Sequence, residues 1–298
     1  MAKYSATKLL KRSVVKRIHA LTCLDLHRIP VDKLERQMRE LLGAGYVSRP
    51  LLINAPDVYR ARKNNETPFT NVKAELWWPE PKYVTKRGRC NEAGHPVFYC
   101  ANSEDTAVIE MQPEVGDVLT VLKCSLVSAN SQPMVMTVGI HDFIAKSNPR
   151  YGGTPPELDI AQQTFLQREG ISETNPLLNS YLSKELVRKV AANDEDNYKA
   201  TSTITKILLE TPDLFNDDGT AAPSREIDGL AYPSIRTDKL GVNLALKTTV
   251  ADILYKPESC VVYRVTEKRD KNHYEVGTLL QSTSIAFDGT ITWDRWKE

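Results

Sequence analysis

Across 298 residues the chain sets 39 Lys and Arg against 38 Asp and Glu, with 41% hydrophobic and 26% charged side chains. That balance is expected of a soluble globular protein. No apolar run nears the ~20 residues of a membrane span, and the longest stretch without a charged side chain, Cys124 to His141, is interrupted by Ser, Asn, Gln and Pro. Leu9-Leu10 before Lys11-Arg12 is too short for the apolar core of a signal peptide, so export by that route is not expected. Five widely spaced cysteines without a Cys-x-x-Cys pair favour free thiols in a reducing cytoplasm. Five dispersed histidines form no His-x-x-x-His or His-Glu-x-x-His pair, so no metal is expected.

Charge divides the chain. Residues 1–50 hold eleven basic and four acidic side chains, and the remainder 28 against 34. Leu10, Val14, Ile18 and Leu21 fall on one face of a predicted first helix. A second follows Pro30, with Asp32 and Glu35 at capping-box spacing, a stripe of Leu34, Met38, Leu41 and Leu42, and Gly43 and Gly45 at its end. This basic extension could engage nucleic acid or an acidic partner. A helical pair with a solvated basic face is the better reading, because no aromatic residues interleave to stack on bases, and nucleic acid is not an expected partner.

From residue 51 the pattern mixes strands and helices. Strands are predicted at 96–101, 118–126, 228–236, 242–247, 258–268 and 274–286, with a hairpin turn at Phe287-Asp288-Gly289-Thr290. Ser103 caps a helix through Glu110, and helices are predicted at 158–168, 177–192 and 199–210. Strands at both ends with helices between them suggest an α+β domain over 51–298, with a helical insertion at about 157–211.

No phosphate-binding loop, Gly-x-Gly-x-x-Gly or Gly-x-Ser-x-Gly is present. Attention falls on Arg89, Tyr99 and Glu110, placed on a Gly-containing loop, a strand and the helix after it. A guanidinium holds a phosphate, an aromatic face packs on a flat ring, and a carboxylate stabilises positive charge at a sugar. Composition alone also allows an Arg89–Glu110 surface pair and a core Tyr99.

The run Gly88-Arg89-Cys90-Asn91, Gly94, Tyr99, Ser103 and Ala107-Val-Ile-Glu110 resembles the RES domain family, named for its Arg, Glu and Ser residues. Val58-Tyr59-Arg60-Ala61-Arg62 is similar to the family's opening element, and Asp228-Gly229-Leu-Ala-Tyr232-Pro233-Ser234-Ile-Arg236 with Asn243 to its later segment. The resemblance implies an ADP-ribosyltransferase-like fold, a split antiparallel sheet around an NAD cleft. It also implies cleavage of the nicotinamide–ribose bond of NAD by water or phosphate, in a family with many toxins paired with antitoxins. By the same resemblance Arg89 holds the pyrophosphate, and Arg60, or Arg62 in its place, makes a second anion contact. Tyr99 packs on nicotinamide or ribose, Glu110 stabilises the cationic ribosyl group, and Ser234 completes the cleft.

Asn91, Arg236 and Asn243 join the NAD-binding candidates, although Asn91 also fits a loop-shaping role and Arg236 an acid pair. Ser103 reads better as a helix cap than as a ligand, and His95 as an exposed loop residue. The family's compact members are shorter than this chain, which sets the toxin role apart from the NAD chemistry. An antitoxin is the partner the resemblance admits, while the extra helices at 1–50 and 157–211 could cover the cleft, bind a regulator or form an interface with a second copy. Transfer of ADP-ribose to a macromolecule, or a binding module without catalysis, are the alternatives.

Overall fold

The structure, a computed structural model, describes residues 2–43, 46, 51–53, 55–65, 67–128, 131–139, 171–188, 190, 194–210, 227–237, 241–270 and 273–295. In chain order these form α1 (Ala2–Thr22), α2 (Val31–Leu42), β1 (Leu51–Leu52), β2 (Asp57–Lys63), a π-helical turn (Val72–Leu76) and a 3-10 turn (Pro81–Tyr83). Next come β3 (Val97–Ala101), α3 (Glu104–Glu110), β4 (Val118–Leu126), β5 (Met134–Thr137), α4 (Ile171–Leu186), a 3-10 turn (Glu195–Tyr198) and α5 (Lys199–Glu210). The chain ends with β6 (Gly229–Pro233), β7 (Val242–Lys247), α6 (Thr248–Leu254), β8 (Tyr255–Lys268), β9 (Tyr274–Ile285) and β10 (Ile291–Arg295). The helix predicted at 158–168 lies outside the described residues.

By compactness the chain divides into two units, one of residues 1–51, 86–92 and 136–230, the other of residues 52–85, 93–135 and 231–298. In the first unit α1 packs on α4 and α2 on α5, so the basic segment 1–50 shares its core with the later helices. Val14 and Leu21 of α1 are buried, while Leu10 stays exposed. The stripe Leu34, Met38, Leu41 and Leu42 of α2 is buried as its spacing predicts. The capping box does not form. Pro30 occupies the N-cap position, where it offers no side-chain acceptor. Glu35 instead accepts from Arg39 (2.7 Å) within α2 and from Lys206 (2.9 Å) on α5. Those two cations, Lys206 first, hold its carboxyl below the usual carboxylate range. Gly43 closes α2 in a right-handed conformation, its N–H donating to the carbonyls of Arg39 and Leu41.

Three predicted elements change their bounds, and the strand expected at 258–268 already begins at Tyr255. The helix expected at 177–192 runs over Ile171–Leu186, taking Pro176 into its interior. The strand expected at 228–236 ends at Pro233, and residues 235–237 form a turn.

In the second unit β7-β3-β2-β4-β8-β9-β10 form an antiparallel sheet. Strands β1, β5 and β6 are the segments of sequence in which the chain passes from one unit to the other. This is an α+β architecture built on one large sheet. Pairing is uneven across it. Strands β2 and β4 are in register over all seven residues of β2, whereas β2 and β3 share one pair, Tyr59 with Ala101. The sheet therefore parts beyond that pair.

Alternation gives β2 two different faces. Tyr59 and Ala61 pack beneath α3 with Ala101, Ala107, Val108, Leu119 and Val121. Val58 and Arg60 point to the other face, where Phe98, Cys100, Leu122 and Cys124 are buried. A strap over 69–78 is tied at both ends. The Trp77 and Trp78 indoles donate to Asp252 on α6 at 2.7 and 2.9 Å, and Asn71 pairs with Thr290 at the β9–β10 hairpin. Gly289 closes that hairpin with φ +91°, a left-handed conformation suited to glycine.

Four of the five cysteines are buried and only Cys23 is exposed. Burial pushes the Cys100 and Cys260 thiols up to about 12 and the Cys124 thiol well above its ordinary value. Because the thiolate is the reactive form, a thiol reagent at pH 8 is expected to label one thiol quickly in the folded protein and all five after denaturation. Cys23→Ser should remove the fast phase, as followed by absorbance of the released reporter.

Candidate active site

Helix α3 begins where the sequence places it. The Ser103 hydroxyl accepts from the Thr106 N–H at 3.2 Å, and Glu104 and Asp105 occupy the favourable end of the helix dipole. Ser103 is a cap. The helix ends on Glu110, where the dipole disfavours a carboxylate. Contacts from distant segments hold it there.

Glu110 Oε1 accepts from Ser234 Oγ and from Asn243 Nδ2, each at 2.6 Å. No described residue donates to Oε2. Ser234 is fully buried and Asn243 nearly so, so both donors act from inside the protein. The Ser234 hydroxyl also accepts from the Thr237 N–H at 3.3 Å, and its backbone N–H donates to Gly241 O at 2.8 Å. Its proton is therefore committed to Glu110.

Asn243 is positioned from both sides. On β7 it lies in register with Ala101 of β3. One residue earlier, Val242 N–H donates to Asn102 Oδ1 (2.9 Å) while Asn102 N–H donates to Val242 O (3.0 Å). Gly241 lies so close to α3 that an added Cβ would fall 2.1 Å from Thr106 Oγ1 and 2.6 Å from its Cγ2. Asn102, Thr106, Thr237 and Gly241 are supporting residues that motif reading missed. A glycine directly before a predicted strand was the one signal for this close backbone approach.

Arg60 stands where β2 and β3 part. Its Nη1 donates to Tyr99 O at 2.7 Å, occupying a backbone acceptor at the edge of the one-pair β2–β3 ladder. The guanidinium carbon lies 5.6 Å from the Phe98 ring centroid, and Nε is buried without a described hydrogen-bond partner. Burial lowers its pKa to about 10, so the group remains a cation at neutral pH. Arg62 shares that face and is lowered in pKa by burial as well.

The structure thus brings Glu110, Ser234 and Asn243 together, and joins Arg60 to the Tyr99 backbone. Alternation sets Arg60 and Arg62 on the face of β2 opposite the one packed under α3. Tyr99 is half-buried on β3 opposite Ala245. Arg236 lies half-buried on the turn after Ser234. His95 is exposed. Arg89 and Asn91 belong to the first unit, where the Gly88 N–H donates to Asn91 O at 3.0 Å and Asn91 Nδ2 to Glu92 O at 3.0 Å. Asn91 thus shapes its loop. Arg89 Nη1 donates to the carbonyls of Leu186 and Arg188.

Among the described residues no group of three or more His, Cys, Asp and Glu could hold a metal ion, and no helix is long and apolar enough to cross a membrane. The chemistry on offer is that of a carboxylate with one oxygen fixed and the other available to a hydroxyl or a cationic carbon. Among known families, the RES domain model matches residues 57–264. The chain belongs to the RES domain family. The matched span holds Arg60, Arg89, Tyr99, Glu110, Ser234 and Asn243. No curated protein matches the sequence.

The fit of Gly241 against Thr106 gives a direct test of this arrangement. Thr106 cannot yield freely, because its χ1 is stiff and its hydroxyl lies 2.8 Å from Ser103 Oγ. Gly241→Ala is expected to lower stability by about 1–3 kcal/mol in urea unfolding. Thr106→Ala together with Gly241→Ala should recover part of that loss, because it removes both the hydroxyl and the methyl group that the added Cβ would strike.

Proposed function

We propose that the protein cleaves the bond between nicotinamide and ribose in NAD, passing the ADP-ribosyl group to water or inorganic phosphate. The RES family is associated with NAD-related enzymatic activity. The observation that carries the reading for this chain is the Glu110 carboxylate, fixed through Oε1 by Ser234 and Asn243 with Oε2 left to a substrate. The opening of the sheet beside Arg60 supports the split sheet of an ADP-ribosyltransferase-like fold.

The chemistry suits those groups. Nicotinamide leaves a cationic pyridinium as a neutral molecule, taking the bonding electron pair, so the leaving group needs no proton. Positive charge then develops on the ribose, and a fixed carboxylate stabilises it more in the transition state than in the ground state. Water addition gives ADP-ribose and a proton; phosphate addition gives ADP-ribose 1-phosphate. Glu110 is the catalytic residue in this scheme. Ser234 and Asn243 are positioning residues, because both are buried behind Oε1. Tyr99 packs on nicotinamide or ribose, Arg89 holds the diphosphate, and Arg60 or Arg62 supplies a second cation, with Arg236 a further anion contact. The antitoxin and the toxin role rest on the resemblance alone, and a second copy on the extra helical segments.

Purified protein mixed with NAD is expected to release nicotinamide, followed by chromatography with and without phosphate. Glu110→Gln should lower the rate by about 100-fold or more. Losing one hydrogen bond to a charged group costs about 1.5–3 kcal/mol, so Asn243→Ala should lower kcat by about 10- to 100-fold with little change in NAD affinity. Wild-type protein that releases no nicotinamide under either condition refutes the reading.

A further inference from the structure

The loop that carries Arg89 is gripped by the helical part of the first unit. Helix α4 ends at Leu186, and its last carbonyls have no partner within the helix. Arg89 Nη1 donates to Leu186 O and, at 3.2 Å, to Arg188 O. The guanidinium carbon lies 5.7 Å from the centroid of the Tyr198 ring, on the 3-10 turn that precedes α5. The seat is itself braced. Arg188 Nη2 donates to Asn197 O at 2.8 Å, and Arg188 Nε lies 3.6 Å from the buried Glu185 carboxylate. Lys86, at the start of the same loop, pairs with Glu195 at 3.2 Å.

We infer that the α4 C-terminus and the Tyr198 ring form a seat that pre-orients Arg89 for a phosphate-bearing ligand, making Tyr198 and Arg188 positioning residues. Three features converge on this role. Cationic groups belong at helix C-termini, where the dipole and the exposed carbonyls favour them. An aromatic face beside the guanidinium adds attraction and fixes its plane. Both anchoring bonds use Nη1, while Nε and Nη2, the side-on fork that binds an oxyanion with two parallel hydrogen bonds, have no described partner. A guanidinium held by one corner loses little rotamer freedom when its fork is filled, which strengthens binding without a new contact to the ligand. The 171–198 part of the helical insertion thereby acquires a function: it sets the angle of the motif arginine.

The inference rests on the NAD reading, and the test separates the two. Wild type, Tyr198→Phe and Tyr198→Leu are compared for the dissociation constant of ADP-ribose by calorimetry and for KM and kcat with NAD. Tyr198→Leu is expected to raise the ADP-ribose Kd and the NAD KM by about three- to tenfold, with kcat within about twofold of wild type. Tyr198→Phe keeps the ring face and should match wild type. If Tyr198→Leu does not fold, Arg188→Ala, which unties residue 188 from Asn197, should raise Kd and KM in the same direction. Unchanged Kd and KM, whether or not the melting temperature falls, would make the seat a structural clip and overturn the inference while leaving the NAD reading intact. Equal losses in Tyr198→Phe and Tyr198→Leu overturn it too, by assigning the effect to the hydroxyl. Wild-type protein that neither binds ADP-ribose nor releases nicotinamide removes the NAD reading, and this inference with it.

Discussion

A carboxylate at the C-terminal end of a short helix faces an unfavourable dipole, and Glu110 occupies that position half-buried. Its stability there depends on donors that the helix cannot supply. Ser234 and Asn243, 124 and 133 residues further along the chain, provide them on one oxygen. Much of the local structure follows from bringing these donors close. Gly241 lacks the Cβ that would strike Thr106, Asn102 fixes Val242 in both directions, and the Ser234–Thr237 turn ends β6 just where the hydroxyl must face α3. Each contact is modest alone. Together they fix the orientation of a single acid, a task in which preorganisation matters more than strength.

A second constraint is the parting of β2 from β3. A sheet that opens leaves backbone acceptors without ladder partners, and unpaired buried carbonyls are costly. Arg60 meets one of them, the Tyr99 carbonyl, and does so from a face lined by Phe98 and buried cysteines. The guanidinium is thereby placed in an apolar setting that lowers its pKa, with Nε still unsatisfied. A stable core seldom retains such a group without compensation. The strap over 69–78 helps to maintain it, since Trp77 packs on Phe98 at 4.5 Å between centroids while its indole is tied to Asp252.

Elements with strong periodicity were legible in the sequence. The α2 stripe, the bounds of β4, β7 and α5, the hairpin at 287–290 and the Ser103 cap all follow from spacing and local chemistry. Local rules failed where distant contacts decided the outcome. Asp32 and Glu35 have capping-box spacing, yet Pro30 takes the cap and Glu35 turns to Lys206 on another helix. Helix α4 starts before Pro176 and ends at Leu186, short of the predicted 192. At the candidate site, motif resemblance named Glu110, Ser234 and Asn243, but no spacing rule could show that two of them serve the third. Nor could it reveal Asn102 or Thr237, which are ordinary turn-forming residues until β7 and α3 meet.

Three residues in and around the site share a feature independent of any motif: each departs from what its local element prefers. Glu110 ends a helix with the wrong charge, Arg60 puts a cation on a buried strand face, and Gly241 leads into a strand without a side chain. In a consistent fold such departures persist only where long-range contacts compensate them, and they gather at functional sites. Compensation is visible for two of the three. Two donors satisfy Glu110 Oε1, and Thr106 fills the space beside Gly241. For Arg60 it is partial, because Nη1 is satisfied and Nε is not. An incompletely paired buried cation gains more from an incoming acceptor than a fully paired one, since ligand binding then removes an existing desolvation penalty. On that argument, Arg60 is, of these three residues, the one whose energy a bound anion would change most.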